Sequence, residues 1–447
     1  MKNYKKLIPL GLILLMLLSC YSLVSNTISE RNEFNGYMKK GQEAASKNIA
    51  IDVDEYYEKA LEVKSLPIVY SEWAKYYESI QDYKTAVTLG ETALETFPKS
   101  PEVYLFLLRN YLNIKDYETF FDAYKKCVSV KATNKDIKEL YEKNKYVYTI
   151  EMDTYTEAFP FSNGVSRVIS VDYSDDGTPY YGYAAAAGTI TPQYLNAGDF
   201  NSDEISGGIS VAPVVDANGN AYFINKEGKK KYDISPKGIT VKQLGFYSSG
   251  VLSVYDGKEY YLCDIKSKIL GGPYEYVTTF NNGIGAIKEG SVWKIINTKG
   301  KQIINQTFED LIIDSKEIMF RGGMFVKSNG VYYLLNEKGE KITDQSFEDA
   351  RLFVDGLAAV KNNGKWGFIN NKGKLVIDYK YHDAKSFSGG FAPVKLNGLW
   401  GYITYSEGNG DKLVINYQFD DALGFANSPK VSFVKIDNVW KMLRLYI

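Results

Sequence analysis

From residue 34 to residue 145 apolar side chains recur at helical spacing, and from residue 146 to residue 447 they fall in short alternating runs. In the first stretch proline occurs at Pro67, Pro98 and Pro101, where one helix is expected to give way to the next. In the second, runs of Val, Ile, Tyr and Phe are broken by Asn-Gly, Lys-Gly and Gly-Gly pairs. That pattern predicts antiparallel strands joined by tight hairpins. The expected fold class is therefore α+β and multidomain, a helical array followed by an all-β region.

The β region is built on a repeat. Its clearest unit runs through Tyr381-His382-Asp383-Ala384, Phe387 and Ser388-Gly389-Gly390, then an alternating strand, the Asn397-Gly398 turn, and Trp400-Gly401-Tyr402-Ile403. The opening element recurs eight times, ending at Ala158, Ala197, Leu244, Val277, Leu311, Ala350, Ala384 and Ala422. An aromatic follows three residues later in seven of these: Phe161, Phe200, Tyr247, Phe280, Phe353, Phe387 and Phe425. The unit opening at Phe308 carries an insertion and reaches Phe320-Arg321-Gly322-Gly323 instead. Trp293, Trp366, Trp400 and Trp440 share one column, with Tyr181, Tyr260 and Tyr332 in weaker copies. An aromatic repeated in register is the packing contact between neighbouring units, so these tryptophans are expected in the core.

The pairs Trp366-Gly367 and Trp400-Gly401, together with Gly364-Lys365 and Gly398-Leu399 before them, resemble the bacterial WG-repeat family. The resemblance covers residues 146–447, sharpest in the last three units. It implies a repeat β architecture with binding or scaffold roles, and it brings no catalytic residues. The last unit stops at Ile447 without a fourth strand, while residues 146–152 read as a strand without a preceding hairpin. Pairing the two would close the array and remove its open edges. The expectation is a closed propeller-like ring of about eight units, with an open β-solenoid as the alternative.

The helical region also repeats. Ile80-Gln81-Asp82-Tyr83 matches Ile114-Lys115-Asp116-Tyr117 at an offset of 34 residues. Tyr70, Trp73, Ala74, Tyr77, Ala86, Ala93-Leu94 and Pro98 resemble a tetratricopeptide repeat. Tyr104, Leu107, Tyr111, Tyr124 and Cys127 form a degenerate second copy, in which Leu108 and Phe120 replace small residues. A weaker copy, with Gly41 and Ala60-Leu61, precedes them. Two to three helical hairpins are expected. The resemblance implies a groove lined by the first helix of each hairpin, and Lys75, Phe106 and Arg109 are the candidate residues for gripping an acidic or C-terminal segment of a partner. The plainer reading of the two cations is a solvated surface.

The first 24 residues read as an address. Lys2, Lys5 and Lys6 precede an apolar run over residues 7–18, and Leu17-Leu18-Ser19-Cys20 follows. This resembles a bacterial lipoprotein signal with Cys20 as the lipidated residue; an uncleaved anchor over residues 7–24 is the alternative. Either attaches the chain to the outer face of a membrane. Residues 25–33 read as a polar linker, residues 34–145 as the helical domain and residues 146–447 as the β domain.

Composition narrows the chemistry. With 53 basic and 54 acidic side chains the formal charge is −1, so no field of one sign exists to attract nucleic acid. Hydrophobic residues make up 45% of the 447, a globular composition. Three cysteines, one of them Cys20, leave Cys127 and Cys263 as expected buried thiols rather than a disulfide framework. The single histidine, His382, fills the slot held by Glu348 and Asp420 in other units, so it is not read as a catalytic base. Asp172-x-Ser174-x-Asp176 and Asp199-x-Asn201-x-Asp203 suggest calcium ladders, but turns account for both, and neither a metal nor a cofactor is expected. The expected function is non-catalytic: a protein-binding or scaffold module whose partner the sequence does not identify. The alternatives are a propeller that binds carbohydrate or cell-wall glycan through exposed tyrosines, then a hydrolase using carboxylates at a ring centre.

Overall fold

Asp82 and Asp116 each accept a hydrogen bond from the backbone of the residue three positions on, Thr85 and Thr119. These are N-caps, and they open the second helix of two successive hairpins. Pro67 and Pro101, also 34 residues apart, stand in the first turn of the helices before them, where a missing N–H costs nothing. The sequence period is thus a period of helix starts. The computed structural model describes residues 25, 27–170, 177–186, 188–201 and 210–447.

Among the described residues the helices are α1 (27–46), α2 (Ala50–Val63), α3 (Pro67–Ser79), α4 (Tyr83–Thr96), α5 (Pro101–Asn113), α6 (Tyr117–Ser129) and α7 (Lys135–Asn144). They form three hairpins and a closing helix. The residues read as a polar linker are helical from residue 27, because α1 extends below Phe34 to the start of the described chain. Asp54 on α2 accepts from the Trp73 indole at 2.7 Å and the Tyr77 hydroxyl at 2.8 Å, tying the first hairpin to the second. Ser71 to Glu102 and Asn110 to Glu78, both 2.6 Å, tie α3 to α5. At Gly90 a Cβ would lie 2.8 Å from Leu107 Cδ1, so a small residue is what permits this helix spacing.

The β unit spans Tyr148–Leu445 and contains eight four-stranded antiparallel sheets among the described residues. All eight opening elements end in a two-residue strand that begins a sheet, from Glu157–Ala158 to Asp421–Ala422. Seven sheets use four consecutive strands. The eighth takes Tyr148–Tyr155, the first strand of the unit, as its fourth member. The chain is therefore an eight-bladed β-propeller, closed by its own first strand, and the open solenoid is excluded. Blades are numbered 1 to 8 in chain order of their opening elements.

Aromatic rings join one blade to the next. Phe387 of blade 7 meets Phe368 of blade 6 with centroids 5.1 Å apart, Phe425 of blade 8 meets Tyr402 of blade 7 at 4.8 Å, and Phe200 of blade 2 meets Tyr183 of blade 1 at 4.9 Å. The closure uses the same contact: Phe161 of blade 1 stacks on Phe433 of blade 8 at 5.5 Å. Trp293, Trp366, Trp400 and Trp440 are all buried, as an inter-strand core column should be. Lysines four of the blades share lie over these rings: Lys288 over Trp293, Lys327 over Tyr332, Lys395 over Trp400 and Lys435 over Trp440. Each is the cross-strand partner of its aromatic.

The glycine of the Trp-Gly pair has a steric cause. A Cβ at Gly367 would sit 2.6 Å from the Ile377 carbonyl oxygen, one at Gly401 2.6 Å from that of Ile415, and one at Gly182 2.6 Å from that of Ile190. In these blades the fourth strand bulges: pairing passes from Trp366–Tyr381 directly to Phe368–Ile377, and the bulged backbone crosses over the glycine. Blades with Lys294 or Tyr333 at this position pair one residue further before the break, so no backbone presses on the side chain.

Candidate functional site

In blades 5, 6 and 7 the slot before the opening Asp proves to be a turn cap. Glu348 Oε2 accepts from the Gly364 amide at 3.1 Å, Glu309 Oε1 from Asn329 at 2.7 Å, and His382 Nδ1 from Asn397 at 3.1 Å. The opening Asp residues accept from the next backbone N–H, as Asp349, Asp383 and Asp421 do. The repeated acids and the histidine are thereby spent on local backbone groups. Cys127 and Cys263 are buried free thiols, each pushed up to about 11 by burial.

In the helical unit Lys75 and Arg109 are exposed on α3 and α5, and Lys75 is paired with Glu72 one turn earlier. Phe106 is not beside them in a groove. It is 6% exposed, packed among Tyr70, Ala86, Ala93 and Val103, because it fills the gap between helices. Cys20 lies outside the described residues, as do Asp172, Ser174, Asp176 and Asp203 of the two calcium-like stretches. Asn201 accepts from the Val211 amide at 2.7 Å and Asp199 turns to an arginine, so both have protein partners. Among the described residues no three His, Cys, Asp or Glu side chains converge on a point, and no helix is long and apolar enough to cross a membrane.

A cavity of about 140 Å³ opens where blades 1, 2, 3 and 5 meet. Blades 2 and 5 are not neighbours, so the cavity lies at the axis of the ring. Blades 2 and 3 supply Asn196, Asp199, Gln243 and Phe246 from their opening segments, with Tyr255 and Tyr260 behind them. Blade 1 supplies Arg167. Blade 5 supplies Ser315, Lys316 and Glu317 from its insertion.

That insertion is a turn set by Asp314, whose Oδ1 accepts from the amides of Lys316 at 2.9 Å and Ile318 at 3.0 Å. Arg321 clamps its other oxygen at 2.7 Å. The turn reaches blade 4, where the Thr279 amide donates to the Glu317 carbonyl at 2.9 Å and the Tyr276 hydroxyl donates to the Glu317 carboxylate. It also reaches blade 1, where Arg167 Nη2 donates to the Ser315 carbonyl at 3.5 Å. The ring thus has a built-in bridge over its axis.

Arg167 places its guanidinium carbon over the Phe159 ring, 4.2 Å from the centroid, donates to the Ala197 carbonyl at 3.0 Å and pairs with Asp199 Oδ1. Asp199 is 4% exposed, and among the described residues its buried Oδ2 has no hydrogen-bond partner. Burial raises the Asp199 carboxyl above its ordinary value, against the pull of Arg167. Burial likewise lowers the Lys316 ammonium and raises Glu317. Among the described residues Lys316 is in no ion pair.

These residues break the repeat. Pro213, Ser253, Ala286 and Pro393 take the place of Arg167 in other blades, and Phe246, Thr279, Leu352 and Gly424 that of Asp199. A buried ion pair is a costly substitute for such residues, so packing alone does not call for it. The sequence reading missed the site, treating Asp199 as a turn residue. The available signal was a charge standing in a column that is elsewhere apolar or small.

Residues 334–366 and 366–400 match the model of the WG containing repeat. No curated protein matches the chain. Among solved structures, the Sgt2 TPR domain from Aspergillus fumigatus is similar at 22% identity, over 25% of this chain and 77% of that one, with a TM-score of 0.22. The Dos1 propeller is similar at 11% identity, over 67% of this chain and 94% of that one, with a TM-score of 0.41. BamB from Moraxella catarrhalis is similar at 12% identity, over 67% and 98%, with a TM-score of 0.39.

Proposed function

We propose that this WG-repeat propeller, preceded by tetratricopeptide-like hairpins, is a non-catalytic protein-binding scaffold held at the outer face of a bacterial membrane by its N-terminus. The observation that carries the reading is that the repeat's signature groups are consumed internally. Its aromatics pack blade on blade, its acids cap turns, and His382 holds a hairpin. What such a ring offers is shape and surface, the properties of an interaction module. Lys75 and Arg109 add two exposed cations on the first helices of successive hairpins, suited to an acidic partner segment.

A second reading is a carbohydrate-binding propeller, favoured by the polar axial cavity with Tyr255, Tyr260 and Phe246 on its wall. Cross-linking capture from solubilised membranes, run beside a pull-down on purified peptidoglycan, separates the two. A protein recovered with wild type and lost with Lys75→Glu/Arg109→Glu supports the scaffold reading. Retention on peptidoglycan with no cross-linked protein overturns it.

A further inference from the structure

We propose that the axial cavity of the propeller is a binding site for a neutral, polyhydroxylated ligand, a monosaccharide unit, held between Asp199, Lys316 and the aromatic wall of blade 3. The site stands independently of the protein-docking reading, since that reading uses the helical unit. It gives the carbohydrate reading a location and a chemistry.

The charges on the cavity wall balance. Arg167 and Lys316 are cationic, Asp199 and Glu317 anionic. A ligand with a net charge would find its own charge uncompensated in a buried setting, which is costly. A neutral ligand is therefore favoured. Within that limit the wall offers both halves of a hydrogen-bonding contract. Among the described residues Asp199 Oδ2 is a buried acceptor with no partner, and Lys316 is a half-buried donor outside any ion pair. An orphaned carboxylate oxygen of this kind calls for a donor, and a hydroxyl can donate to it while accepting from the lysine. Gln243 and Asn196 carry amides that do both.

Part of the remaining wall is aromatic. Tyr255 and Tyr260 stand 4.7 Å apart between ring centroids, tilted by 34°, and Tyr260 meets Tyr276 at 5.2 Å. Phe246 adds a third ring at the cavity. Apolar ring faces beside converging polar groups suit a pyranose, which has C–H faces and a hydroxyl rim. The cavity volume of about 140 Å³ accommodates one sugar unit and not an oligosaccharide, so a longer glycan would enter by its end.

The placement also argues for a purpose beyond folding. Three departures from the repeat, Arg167, Asp199 and the insertion bearing Lys316, come from different blades and converge on one cavity. Arg167 is a positioning residue here: it fixes Asp199 through Oδ1, and Oδ2 is left without a partner among the described residues.

The test is saturation-transfer NMR and thermal-shift titration of the full chain against glucose, galactose, N-acetylglucosamine and, as a zwitterionic control, glycine. At least one sugar should bind, and Lys316→Gln and Asp199→Asn should each weaken it by about tenfold, the effect of one lost charge-assisted hydrogen bond. Lys316 is in no ion pair, so Lys316→Gln keeps the test open if Asp199→Asn fails to fold. Lys75→Ala should bind as wild type. Absence of binding by all three sugars, sugar binding unchanged in a folded Lys316→Gln, or binding of glycine alone would each overturn the proposal. A glycan on peptidoglycan that is retained equally by Lys316→Gln would overturn this site while leaving the broader carbohydrate reading intact.

Discussion

Tyr148 stands opposite Leu445 in the antiparallel ladder that joins the first strand of the propeller to the last. Thr149 and Ile150 face Arg444 and Leu443 in the same ladder, and Glu151 takes the Arg444 guanidinium at 2.8 Å. The ends of a long segment thus share one sheet, and the last blade gains the same four strands as the others. Cooperativity follows from that connection.

Deleting residues 444–447 should destabilise the whole β unit, since the closing ladder then loses two of its five paired positions and the Arg444 contacts to Glu151 and the Ala186 carbonyl. Hydrogen exchange reads this directly. Protection around Tyr181 in blade 1 should fall along with protection around Trp440. Loss confined to the C-terminal strand, with Tyr181 still protected, would mean that the blades unfold independently, as in an open array.

The repeat residues carry a second prediction. Trp366 is 3% exposed and belongs to a core cluster shared by blades 6 and 7, so Trp366→Ala should cost about 3–5 kcal/mol, the range for large aromatic truncations in cores. Gly401→Ala should cost about 1–3 kcal/mol through the clash with the bulged backbone at Ile415. Alanine at Lys294, in a blade whose register lacks that bulge, should not meet such a clash. Denaturant unfolding of the three variants checks this order. A Gly401→Ala protein as stable as wild type would remove the steric account of the Trp-Gly pair.

Much of this architecture is legible in the chain. All eight opening elements are real strand starts, and the pairing of residues 148–152 with the C-terminal strand follows from asking which strand lacks a partner. Blade 2 is hard to read for a physical reason: Ala221 stands where other blades place an aromatic, so its column is silent. The lysine five residues before Trp293, Tyr332, Trp400 and Trp440 was visible at fixed spacing, yet reads as a solvated charge until the hairpin register puts it across from the ring. Phe106 misleads in the opposite way, because helical spacing alone does not tell a groove face from an interhelical face. The axial cavity is the least legible feature. Arg167, Asp199 and Lys316 come together only once the ring is closed, and each looks ordinary in its own segment.

The address is open to a direct test. If Cys20 is the lipidated residue, Cys20→Ala should abolish incorporation of a labelled fatty acid and leave an uncleaved precursor in the membrane. Mass spectrometry of the wild-type chain should find its new N-terminus at Cys20. Equal labelling of both proteins, or of neither, would leave the uncleaved anchor over residues 7–24 as the means of attachment.

Acid should weaken one particular joint between blades. Asp411, in the fourth strand of blade 7, accepts from Lys380 Nζ at 2.8 Å and from the Tyr381 hydroxyl at 2.5 Å, both at the end of the fourth strand of blade 6. Burial alone would raise its carboxyl, but these two donors outweigh burial and hold it below the ordinary value. A carboxyl depressed in the folded state contributes stability that is fully present above its unfolded value and is lost as pH falls through its folded value. Asp411→Asn should therefore cost about 1.5–3 kcal/mol at neutral pH, toward the lower end because Lys380 is 48% exposed. The gap between wild type and variant should narrow on acidification, beginning near the ordinary aspartate value of about 3.9 and closing below it. Urea unfolding of both proteins across that range measures it. A gap that stays constant as the carboxyl is protonated would show that Asp411 acts by shape and not by charge.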